Sequence, residues 1–104
     1  MLVVNLFEDF HYDNEDIVLK ELMQTKFSKE ISIAMQTHQF MQGHESEYPL
    51  VLHVISGSVK LMTDDDVVTL VQGDLIEIDT SIKHCIEAIE NSLLRLSVFT
   101  DNLL

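Results

Sequence analysis

Apolar and polar residues alternate with a period of two along most of this chain, the period that sends successive side chains to opposite faces of a strand. Ile31, Ile33 and Met35 alternate with Ser32, Ala34 and Gln36. Leu50, Leu52 and Val54 alternate with Val51, His53 and Ile55, which predicts a strand apolar on both faces and therefore buried. Val59 and Leu61 alternate with Ser58 and Lys60, Asp64-Asp65-Asp66 interrupts, and Val67 to Val71 resumes. That pattern is a hairpin with an acidic tip. Further strands are predicted over Leu75 to Ile78, His84 to Ile89 and Leu93 to Phe99. In the last of these, Leu94, Leu96 and Val98 share a face opposite Arg95 and Ser97.

The beginning of the chain is less regular. Asp13-Asn14-Glu15-Asp16 has the residue types of a helix cap ahead of Ile17. However, Ile17, Leu19 and Glu21 alternate with Val18, Lys20 and Leu22, and this favours a strand. Pro49, Gly43, Gly57 and Gly73 each mark a turn or bulge. Short strands at this spacing predict an all-β sandwich or barrel. The 104 residues allow one domain. Within it, residues 1–29 are expected to form N-terminal strands or an arm packed on a barrel built from 30–104. There they would cover a sheet edge or pair across a dimer.

Composition narrows the function. Hydrophobic residues make up 46% of the chain, enough for a core and too many for a disordered segment. A domain this small leaves apolar surface uncovered, so oligomerisation is expected. Eighteen Asp and Glu against six Lys and Arg give a net charge of −12. Such a surface repels a phosphate backbone and an anionic membrane face, so neither nucleic acid nor membrane is expected as a partner. The single cysteine, Cys85, excludes an intrachain disulfide and a multi-cysteine zinc site. No basic, apolar leader opens the chain, and no window approaches the ~18 apolar residues of a membrane helix. A cytoplasmic location is the resulting expectation.

The segment from His44 to Ala88 resembles the cupin superfamily. Anchoring the first cupin motif on Gly57, in Val54-Ile55-Ser56-Gly57-Ser58-Val59, places its first histidine on His44, its second on Ser46 and its glutamate on Leu50. Anchoring the second motif on Gly73-Asp74 places its proline on Asp79, its second glycine on Ser81 and its histidine on His84. The stretch His44 to Gly57 also fits, without a gap, the pattern of small stand-alone bacterial cupins. The resemblance covers roughly residues 30 to 99 and rests on the joint spacing of His44, Gly57, Gly73 and His84. It implies a cupin-type jelly-roll β-barrel with an internal pocket, commonly dimeric. It does not select a reaction, because one fold carries many.

The resemblance makes His44 and His84 candidate metal ligands and turns positions 44, 46, 50 and 84 to the interior. A divalent transition metal (iron, nickel, manganese or zinc) requires three or four ligands, and Ser46 and Leu50 replace two of them. A ligand recruited from His38, Gln36, Gln39 or Gln42, which read as a loop before the motif, is one way to complete the set. Three readings follow. The first is a barrel that binds or senses a small molecule, with His44 and His84 as polar handles and Ser46, Leu50, Leu52 and Leu61 in the pocket. The second is a metal-dependent oxygenase or isomerase. The third is a structural dimer. Several residues have plainer roles. Cys85 reads as a small core residue, Met35, Met41 and Met62 as core filling, and Asp64 to Asp66 as a solvated tip. His53 reads as outward-facing, and His11 lies outside the motifs.

Overall fold

A computed structural model describes residues 1–44 and 46–99, His44 by its backbone. Nine strands follow the alternation: β1 (Val18–Gln24), β2 (Ser28–Met35), β3 (Phe40–His44), β4 (Leu50–Ser56), β5 (Ser58–Met62), β6 (Val67–Val71), β7 (Leu75–Ile78), β8 (His84–Ala88) and β9 (Ser92–Phe99). No helix forms among the described residues. The strands make two antiparallel sheets, one ordered β1-β2-β9-β4-β7 and the other β3-β8-β5-β6. This is an all-β jelly roll. Among the described residues the ladders do not run from one sheet into the other.

The register explains the core. Across the large sheet Ile33 pairs with Leu94, which pairs with Val54, while Ile31 pairs with Leu96, which pairs with Leu52. Paired residues share a face, so these rows form a continuous apolar inner surface. Leu61 and Ile86 meet it from the small sheet, where they are register partners. Each such side chain withdrawn from water contributes about 1.5–3 kcal/mol. β4 lies inside its sheet between β9 and β7, which accounts for its apolar character on both faces: Leu50, Leu52 and Val54 are buried, and Val51, His53 and Ile55 half-buried. β5 and β6 form the hairpin with Asp64 to Asp66 at its tip, closed by the Thr63 amide donating to the Asp66 carbonyl at 2.8 Å.

Two features depart from the sequence reading. The segment before His44 is not all loop: Phe40 to His44 form β3, paired with β8 across a bulge between Met41 and His44. The line between arm and barrel at residue 29/30 falls inside β2, which runs unbroken from Ser28 and pairs with β9 along its whole length.

Residues ahead of β1 pack against the large sheet and its neighbouring loop. Val4 and Leu6 share a small recess with Leu22, Met23, Glu30 and Arg95. Phe7, Phe10 and Tyr12 stack edge to face in sequence. The Gln39 side-chain amide donates to the Asp13 carbonyl at 2.8 Å. The Asp13 carboxylate caps its own turn by accepting from the Glu15 and Asp16 amides, bonds that hold its carboxyl below the ordinary value.

Candidate functional site

The inner face of the large sheet is wider than the small sheet that covers it. Toward the edge strand β1 its apolar rows emerge from the core: Leu94 is fully buried, its neighbour Ile33 is 1% exposed, and Leu19, the next in that row, is 62% exposed. The result is a recess of about 470 Å³. Its walls are Ile31, Leu50, Leu96 and Val98 from the large sheet and Met41 from β3, with Ser46 at its edge. Lys29 and Glu21 stand at the rim as an exposed ion pair at 3.8 Å.

The candidate residues separate into three places. Ser46 and Leu50 line the recess. Leu52 is fully buried in the core and is not part of the recess wall, and Leu61 faces a second groove, between β6 and β7. His44 and His84 are register partners across the β3–β8 ladder. His84 is 5% exposed, and its Nδ1 donates to the Ile82 carbonyl at 3.2 Å. A carbonyl oxygen only accepts, so this bond requires the proton on Nδ1. Cys85 differs from its expected place: it is half-buried rather than core, and points at Gly43, where a Cβ would stand 2.7 Å from its Sγ. Met41 and Met62 are likewise half-buried, whereas Met35 is core.

The donor chemistry tests whether a resident metal fits. The ladder places His44 and His84 at one register position, and a backbone carbonyl orients the His84 ring as metal-ligating histidines are commonly oriented. Among the described residues no third donor joins them. Leu50 has none, and the Ser46 hydroxyl accepts the Tyr48 amide at 3.2 Å. Among the described residues no three His, Cys, Asp or Glu side chains converge. The described donors alone fall short of the three or four ligands a transition metal requires.

Sequence reasoning missed the rim and the outer half of this site. Leu19, Ile31, Leu96 and Val98 each sit in a plain alternating pattern, and only the pairing of β1, β2 and β9 brings them together.

No protein-family model and no curated protein matches the sequence. Comparison with solved structures finds the cupin fold. An RmlC-like cupin protein from Desulfovibrio desulfuricans superposes with a TM-score of 0.86 at 20% identity, covering 95% of this chain and 96% of that one. A conserved protein of unknown function from Streptococcus pyogenes gives 0.84 at 18%, over 97% and 89%. A conserved protein with a double-stranded β-helix domain from Klebsiella pneumoniae gives 0.84 at 17%, over 96% and 90%. The chain therefore has the cupin fold.

Proposed function

We propose that this is a small-molecule-binding protein whose jelly roll takes up a compact, largely apolar ligand in the recess beside β1. One observation carries the reading. The inner face of the large sheet runs out from under the small sheet as an open apolar trough, with Ser46 and the Lys29–Glu21 pair as its polar margin. A concave apolar site with a few polar groups at its edge is what a small organic ligand requires. A cytoplasmic homodimer is the form this proposal takes. The apolar surface that so small a domain leaves uncovered supports the dimer.

The test is titration with the fluorophore 1-anilinonaphthalene-8-sulfonate, together with native mass spectrometry of protein taken directly from cells. Ile31→Trp fills the recess and is expected to weaken probe binding by about tenfold or more, or ~1.4 kcal/mol. Thr69→Trp, on the exposed β6 strand, leaves it unchanged. Equal binding by wild type and Ile31→Trp would overturn the assignment.

A second reading, a metal-dependent enzyme, draws on the pairing of His44 with His84 and on the carbonyl that orients His84. With two imidazoles and no third donor among the described residues, no reaction step is derived from it.

A further inference from the structure

Independently of the recess, the opposite side of the jelly roll has its own groove. β6 ends the small sheet and β7 ends the large one, so among the described residues each has one edge without a neighbouring strand. Between them lies a groove of about 540 Å³. Its apolar lining includes Leu61, Val68, Ile76 and Ile78, and its rim carries Asp65, Asp66, Glu77 and Asp79. No Lys, Arg or His is among its lining residues.

The β6 edge lacks the usual protection against strand addition. Proteins blunt such edges with lysine, proline or bulges. β6 reads Val67-Val68-Thr69-Leu70-Val71, with neither charge nor proline, and pairs with β5 residue by residue without a register shift. Val67 is 67% exposed. A regular, uncharged edge rich in β-branched residues is a template for another extended chain.

The rim selects the occupant. A second copy would bring the same four carboxylates to the groove on a molecule of charge −12, and like charges juxtaposed at an interface are costly. A metal ion is not the fit either, because these carboxylates do not converge on one point. A cationic segment is attracted both by the rim and by the field of the whole molecule.

We infer that the groove between β6 and β7 docks an extended basic segment of a protein partner. The segment adds as a strand, sets aliphatic side chains on the apolar floor and places Lys or Arg against Asp65, Asp66, Glu77 and Asp79. At about 3.3 Å per residue, a partner of about five or six residues spans β6.

The probe is a fluorescein-labelled Lys-Val-Lys-Val-Lys-Val peptide, followed by anisotropy and by amide shifts of the labelled full chain. Its counterparts carry Glu in place of Lys, or Pro at the central positions. Expected shifts fall on 67–71 and 75–78. The Pro and Glu peptides bind about tenfold more weakly or worse. Asp66→Asn/Glu77→Gln/Asp79→Asn weakens the Lys peptide by a similar factor. Asp13→Asn/Glu15→Gln/Asp16→Asn, which removes equal charge elsewhere, leaves binding within about twofold. The inference is overturned by equal losses in the two triple variants, by a Pro peptide that binds as well as its parent, or by shifts elsewhere. Sedimentation showing that a second copy fills the groove in the free protein would overturn it too.

Discussion

The Ser81 amide donates to the Ser46 carbonyl across 3.0 Å, tying the β7–β8 connection to the β3–β4 connection. The two ends of this bond border different spaces. Ser46 lines the recess beside β1, while Asp79 and Ile82, on either side of Ser81 in the chain, line the groove between β6 and β7. The bond thus stands between two openings with different linings, one mostly aliphatic with a single ion pair and the other rimmed by carboxylates. Ser81 makes it from a left-handed backbone, φ 65°. The cupin motif usually has glycine at this position, and this conformation gives the physical reason.

Ser81→Gly is expected to raise stability by about 0.5–1 kcal/mol. Relief of the left-handed penalty, ~1–2 kcal/mol, exceeds the extra unfolded-state entropy of glycine, ~0.4–1 kcal/mol. Ser81→Val, β-branched and poorly suited to this φ, is expected to lose about 1–2 kcal/mol. Urea unfolding of the three proteins measures both changes. A stability loss in Ser81→Gly would mean that the hydroxyl, not the backbone, is what this position requires.

Gly57 sets the corner between β4 and β5 and leaves no room for a side chain. Its φ is 89°, and an added Cβ would collide with the Ser92 hydroxyl and the Asn91 carbonyl. The Ser92 hydroxyl also accepts the Ser58 amide at 3.0 Å, so the clash falls on a bond the corner uses. Gly57→Ala is expected to cost about 3 kcal/mol or more, combining left-handed strain with overpacking. Thermal unfolding followed by circular dichroism checks this, and a change under about 1 kcal/mol would show that the corner yields easily.

On the outer face of the large sheet, Glu30 accepts from Arg95 at 2.7 Å and from the Ser97 hydroxyl at 2.5 Å, under the N-terminal residues Val4 and Leu6. Breaking a fully buried pair costs ~3–5 kcal/mol. Arg95 is more than a third exposed, so solvent screening lowers the expectation to a coupling of about 1–2 kcal/mol. A double-mutant cycle of Glu30→Gln and Arg95→Met measures it. Zero coupling would leave Ser97 and packing as the reasons for burying Glu30.

The strands of the core were legible because alternation with period two survives wherever one face is buried: Leu50, Leu52 and Val54, or Val59 and Leu61, announce themselves. β3 escaped because Phe40-Met41-Gln42-Gly43-His44 carries a bulge that breaks the period, and because Phe40 faces out and is exposed. Ser46 and Leu50 line the recess. Leu52 and Leu61 do not, because a position's parity says which face it occupies, not whether that face is sealed or open at that point along the strand. Openness depends on how far one sheet extends past the other. That is a property of Leu19, Ile31, Leu96 and Val98 taken together across three strands, and no local window contains it.

The two histidines give the last test. His44 and His84 stand at one register position, and His84 is oriented through Nδ1, which leaves the metal question to the number of donors. Two imidazoles bind a divalent ion far more weakly than a complete set of three or four ligands. Protein purified without chelator and then incubated with iron, nickel, manganese or zinc is expected to retain well under about one ion per chain by inductively coupled plasma mass spectrometry. His84→Ala is expected to leave that content unchanged while perturbing the core, since the ring is buried and hydrogen-bonded. A stoichiometric ion lost in both His44→Ala and His84→Ala would reverse the conclusion. It would mean that a further donor completes the site and that the enzyme reading, not the binding reading, describes the pocket.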